Sequence, residues 1–154
     1  MANRLFQGII HQMTDTVDRT IGVIDENGVI IACSELVKIG DTINNMREVK
    51  SAEEIEKITE AQRVTDLAFD HMLKMLTPNM TENDVAAELE YVMRKNGAQD
   101  KSFETIAVSG KKSSMPHGVP SNVKLSKGFL TMDFGALFDG YHSDMTRTVS
   151  IGKA

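Results

Sequence analysis

The chain has 154 residues, 41% hydrophobic and 25% charged, with a formal charge of −5. That suffices for one ordinary soluble domain, or for one small domain and a fragment of another. The mild acid excess and lack of a basic stripe argue against a nucleic-acid partner, no apolar stretch approaches membrane-spanning length, and one cysteine excludes an intrachain disulfide.

Residues 3–18 carry Leu5, Phe6, Ile9, Ile10, Met13 and Val17 at spacings of three and four, which predicts an amphipathic helix. His11, Asp15 and Asp18 interrupt it, so it does not read as a signal peptide. Two strands follow, at residues 20–24 and 29–33. Asn27-Gly28 between them is a hairpin signal because both residues tolerate positive φ. Cys33 ends an apolar run and reads as a small buried hydrophobe, consistent with a reducing cytosol. Leu36, Val37 and Ile39 read as a short strand or a linker. Ser51 to Glu54 matches a capping box, and a helix is expected from there to about Leu76. Its expected buried stripe is Ile55, Ile58, Ala61, Thr65, Ala68, Met72 and Met75, with Pro78 as the stop.

Thr81 is expected to cap a second helix with Asp84 as its third-position partner. Val85, Leu89, Val92 and Met93 should face inward, and Asn96-Gly97 should end it. Beyond that the pattern turns to strand: Phe103 to Val108, then a Gly/Ser/Pro-rich loop over residues 109–122. The last expected elements are Phe129 to Leu137 and Tyr141 to Ile151, a hairpin across Phe138-Asp139-Gly140. Lys111-Lys112 reads as a solvated turn.

Alternate strand residues share a face, so Asp133 lies with Thr131 and Phe129, and Asp144 with His142, Thr146 and Thr148. If the register puts both acids on one face, a divalent cation would relieve their repulsion, and Mn, Mg, Ca or Zn suits such oxygen donors. On spacing alone they read more readily as edge-strand or turn acids. His117, between Pro116 and Gly118-Val119-Pro120, is displayed by stiff backbone and suits substrate positioning or proton handling, or is a solvated loop histidine. His11 and His71 lie on expected helices and read as structural or exposed. His142 neighbours the acids and reads as a supporting group or a plain strand residue.

Residues from about 46 to 152 resemble the aminopeptidase P, prolidase and creatinase family of "pita-bread" metallohydrolases. The likeness rests on Met46 to Ile55, Ser102 to Gly110, Pro116-His117-Gly118, Asp133 to Ala136 and Asp139 to Thr148, in order and spacing. The resemblance implies that Asp133 ligates one metal, that Asp144 bridges two, and that His117 lies on the substrate side. It also implies Mn, Co or Zn as cofactor and cleavage of an amino-terminal residue preceding proline. The remaining ligands that it implies, a His and two Glu, belong to a second half expected after Gly152. The chain as given reaches Ala154, so two carboxylates are expected to hold metal weakly and to give no significant peptidase activity.

Residues 1 to about 34 resemble the start of a sugar-diacid-recognition sensory region of bacterial regulators, through the Phe6-Gln7 helix, Asp18-Arg19-Thr20 and residues 24–32. The expected organisation is therefore a chimera: residues 1–45 of sensory type, and residues 46–154 the first half of a pita-bread domain. The expected fold is α+β, two helices on a mostly antiparallel sheet, preceded by a helix and a hairpin. The expected setting is cytoplasmic, with a peptide substrate and a homodimer that covers the open sheet. The alternative is a non-catalytic folded or interaction domain.

Overall fold

The computed structural model describes residues 2–17, 19–42 and 47–152. Asp18, the expected last residue of the first helix, and Met46, the first residue of the peptidase likeness, lie outside them. The chain divides into two compact units, Met1–Ser51 and Ala52–Ala154.

In the first unit, helix α1 spans Ala2–Met13 and is shorter than the periodicity predicts. The hydroxyls of Thr14 and Thr16 donate to the carbonyls of Ile10 and Met13, both at 2.9 Å, and so take over acceptors near the end of the helix. Of the expected stripe Ile10 is fully buried, whereas Leu5 is 65% exposed. Strands β1 (Gly22–Ile24) and β2 (Ile30–Cys33) pair antiparallel, with an irregularity after Val23. Gln7 acts like a strand neighbour to Cys33: its amide nitrogen donates to the Cys33 carbonyl (2.8 Å) and its amide oxygen accepts from the Cys33 N–H (3.0 Å). Cys33 is buried, as its apolar run predicts.

The β1–β2 turn differs from the expected pair of positive-φ residues. Gly28 has φ 77°, whereas Asn27 does not adopt a positive φ. The Asp25 carboxylate closes the turn by accepting from the N–H groups of Asn27 and Val29, each at 2.9 Å. Residues 36–38, read as strand or linker, form a 3-10 turn, Leu36–Lys38. The chain then returns to β2, where the Gly40 N–H donates to the Ile30 carbonyl and the Ile30 N–H to that of Asp41.

The second unit begins with helix α2 (Ala52–Met75), and α3 (Glu82–Lys95) follows past Pro78. The cap of α3 is as expected: Thr81 Oγ1 accepts from the Asp84 N–H (3.1 Å), and the Asp84 carboxylate accepts from the Thr81 N–H (2.7 Å). Val85, Leu89, Val92 and Met93 are buried. On α2 the buried residues are Ala61, Val64, Thr65, Ala68 and Met72. Ile55 and Met75, expected in that stripe, are 53% and 48% exposed, because only the middle of the helix is covered.

Two three-stranded antiparallel sheets complete the unit. One has the order β3 (Asp100–Lys101), β6 (Ala136–Phe138), β7 (Tyr141–His142). The other has the order β4 (Ile106–Ser109), β5 (Gly128–Phe134), β8 (Met145–Ile151). Leu130, Met132 and Phe134 of β5 are fully buried in one core with Val64, Ala68 and Met72 of α2 and Val85 and Leu89 of α3. The class is α+β, as expected.

Two strand expectations are corrected. Residues 103–108 do not form one strand, since β4 starts at Ile106. Before it, Ser102 donates from its N–H to the Gly135 carbonyl and from its hydroxyl to the Ala136 carbonyl, both at 2.8 Å. The expected long hairpin is also broken in its middle, at Gly135 on one arm and Ser143-Asp144 on the other. Its tip, Asp139-Gly140, has φ 46° and 81°, the positive pair that a two-residue hairpin turn requires.

Candidate functional site

Asp133 sits near the end of β5, between Met132 and Phe134, which are fully buried. Strand alternation therefore puts Asp133 on the open face of the sheet. Its register partner on β8 is Thr146, whose hydroxyl donates to Asp133 Oδ1 at 2.7 Å. Asp144 is exposed and lies two residues before Thr146, in the break that precedes β8. The register sets Asp133 opposite Thr146, and Asp144 lies just before the paired residues of β8.

The break in the hairpin fixes the approach to Asp144. A Cβ at Gly135 would lie 2.0 Å from the Ser143 carbonyl oxygen, so only glycine permits this crossing. Ser143 is buried. Its Oγ accepts from the Ala136 N–H at 2.9 Å and lies 2.5 Å from the Thr65 hydroxyl, which donates to the Ala61 carbonyl on α2. Helix α2 thereby pins the residue before Asp144. Sequence reasoning named Thr146 on the face of Asp144 but gave no part in the site to Ser143 or Gly135. The only signal was a glycine following Asp133-Phe134.

His117 is exposed on the loop between β4 and β5. It lines a hollow of about 300 Å³ with Thr105, Ile106, Val119 and Pro120. Asp133 and Thr146 line a second hollow of about 200 Å³ with Ile106, Met115, Pro116 and Thr131. Ile106, the register partner of Asp133 on β4, borders both. His117 thus lines a hollow next to that of Asp133 but not the same one, and Asp144 is among the lining residues of neither. His142 is exposed on β7, paired with Leu137. His71 hydrogen-bonds Glu88 at 2.7 Å, which accords with a structural role, and His11 is exposed on α1.

Carboxylate and hydroxyl oxygens suit a hard divalent cation in kind. They do not fit one in number: among the described residues no group of three His, Cys, Asp or Glu side chains could hold a metal ion. No reaction step through a metal is derived from these residues alone. Among the described residues no helix is long and apolar enough to cross a membrane.

Comparison with known proteins supplies the context. The "Uncharacterized peptidase YqhT" of Bacillus subtilis is 43% identical over 135 residues, covering 87% of this chain and 38% of that protein. A match of that length leaves about 20 residues over, so it includes both strands of the front hairpin. The Xaa-Pro dipeptidase of Pyrococcus furiosus is 42% identical over 120 residues, 77% of this chain and 34% of that protein. The chain thus spans little more than a third of the relatives it matches. Among solved structures, the Xaa-Pro dipeptidase from Bacillus anthracis superposes with a TM-score of 0.70 at 40% identity, over 76% of this chain and 35% of that one. The fold is accordingly part of the pita-bread fold of solved prolidases. The model of metallopeptidase family M24 matches residues 56–154, and with that match and these identities the chain belongs to metallopeptidase family M24.

Proposed function

We propose that this chain carries part of the active centre of an Xaa-Pro dipeptidase-like metallohydrolase. In this reading Asp133 ligates one divalent metal, Asp144 bridges two, and His117 meets the peptide on the substrate side. The observation that carries it is the pairing of Asp133 with Thr146 on the open face of the sheet, two residues after Asp144 in the chain. Bound there, Mn, Co or Zn would supply an activated water. The chain's own part is to aim two carboxylates from a rigid sheet and to hold a histidine beside them. The named relatives suggest a peptide with proline in second position as substrate.

Two carboxylates make a weak and loosely defined metal site, so these residues alone should give no significant turnover. The reading extends to a cytoplasmic homodimer, in which a second copy covers the open sheet face and the edge of β8. The reading keeps a sensory-type origin for residues 1–45, against which the inclusion of the hairpin in the peptidase likeness weighs. The alternative, a non-catalytic folded domain, is favoured by the same shortage of donors.

Calorimetric titration with Mn²⁺ separates the two readings. Binding that is lost in Asp133→Ala/Asp144→Ala supports the metal site. Heats equal to those of the double variant would leave the non-catalytic domain as the better account. Hydrolysis of an Xaa-Pro dipeptide by the wild-type chain, abolished by Asp144→Ala, would overturn the expected inactivity.

A further inference from the structure

Glu82 is the one acidic residue among the buried groups of the described residues, 1% exposed at the first position of α3. Burying a carboxylate is costly unless hydrogen bonds and a counter-charge replace its water. It is not needed as a helix cap, because Thr81 and Asp84 already form one.

Its partners define another task. Glu82 Oε1 accepts from the Ser109 N–H at 2.9 Å and from the Ser109 hydroxyl at 3.3 Å. Oε2 accepts from the Ser121 hydroxyl at 2.7 Å and from Lys112 Nζ at 3.0 Å, and Lys112 also donates to Ser121 Oγ at 3.0 Å. Ser109 ends β4, and Ser121 stands where the loop returns to α3. One carboxylate therefore ties together both ends of the loop that carries His117. Backbone bonds reinforce the base: the Glu82 N–H donates to the Val123 carbonyl and the Asn83 N–H to that of Ser121, each at 3.1 Å.

The crown of the loop has little apolar anchorage. Met115 and His117 are exposed, and Val119 is 77% exposed. One seat exists beside the histidine, where Gly118 packs so closely on Val108 that a Cβ there would lie 2.9 Å from Val108 Cγ1.

We propose that Glu82 is the positioning residue for His117, acting as a buried anionic clasp on the two ends of the His117 loop. The role for His117 rests on the peptidase reading above; the clasp itself is measurable without activity.

The test is amide hydrogen exchange by NMR on Glu82→Gln, with the Overhauser contact between Gly118 Hα and the Val108 methyls followed in parallel. Glutamine keeps the shape but turns an accepting oxygen into a donor facing the Lys112 ammonium and the Ser121 hydroxyl. Amides of residues 111–115 and 117–119 should exchange at least tenfold faster and the Gly118–Val108 contact should weaken. Amides of Leu130 and Met132 in β5 should keep wild-type rates. Wild-type loop rates with the contact intact would overturn the proposal. So would equal acceleration in loop and β5, which would mean only global support. If Glu82→Gln does not fold, Lys112→Met, which removes one arm of the clasp, should give the same pattern more weakly, and an unchanged loop would overturn the proposal. Mn²⁺ titration of the wild type against Asp133→Ala/Asp144→Ala reports on the two acids and not on Glu82, so failure of the clasp and failure of the metal reading are told apart.

Discussion

Asp133 and His117 stand on neighbouring walls, yet they are held by opposite physics. Asp133 is placed by apolar burial. Its strand neighbours Met132 and Phe134 are locked in the core under α2 and α3, so the carboxylate points outward by alternation alone. His117 has no such neighbours. Its loop is fixed by a buried ion at its base and a glycine contact at its crown. The difference teaches that one site can contain an anchor that survives wherever the core survives and another that polar changes can release locally.

The hardest way to break the comparison is to remove the anchor of the acid. Phe134→Ala deletes a fully buried ring between α2 and the sheet and should cost about 4 kcal/mol. Denaturant unfolding should show a lower midpoint, and Asp133 and the His117 loop should be lost together in a single transition. A destabilisation below about 1 kcal/mol would mean that Phe134 does not organise this core.

Gly135→Ala comes next and cuts between the two acids. The new methyl would meet the Ser143 carbonyl at 2.0 Å, with backbone on both sides of the clash. The crossing must open, at about 3 kcal/mol. Because Ser143 leads directly into Asp144, metal binding should fall with it, whereas the His117 loop should keep its exchange protection. Unfolding and Mn²⁺ titration on the same sample check both halves. Wild-type metal binding in this variant would show that the crossing does not position Asp144.

These cases also mark what was legible in the sequence. The alternation Leu130, Met132, Phe134 against Phe129, Thr131, Asp133 is a period-two pattern, and it correctly grouped Asp133 with Thr131 and Phe129 on one face. The Thr81–Asp84 cap is local chemistry and was equally readable. The interruption at Gly135 was not, because the apolar pattern runs through it, and the need for glycine comes from Ser143 on the other arm. Val64 was missed, and Ile55 and Met75 were wrongly expected inside, because periodicity gives a helix face but not how far its cover extends. Glu82 was the least legible of all. An acid in the first turn of a helix ordinarily reads as a solvated partner of the helix dipole. Its burial depends on Ser109, Lys112 and Ser121, which lie 27 to 39 residues further along the chain.

Acid offers the mildest way to separate the two walls. Burial pushes the Glu82 carboxyl up, but the hydrogen bonds from the Ser121 hydroxyl, the Ser109 N–H and Lys112 outweigh it and hold the group below the ordinary glutamate value. A carboxyl depressed in the folded state takes up its proton more readily once its surroundings open. The clasp therefore contributes fully above the ordinary glutamate range, about pH 4.3, and fades as the pH falls through the depressed native value. Exchange protection of residues 111–115 and 117–119, corrected for the intrinsic acid slowing of exchange, should drop relative to Leu130 and Met132 as the pH is lowered below that range. In Glu82→Gln, which has no proton to gain, the loop should already be loose and its protection relative to β5 should no longer vary with pH. A wild-type loop that keeps its relative protection down to the acid unfolding of the whole unit would place His117 under the same apolar control as Asp133.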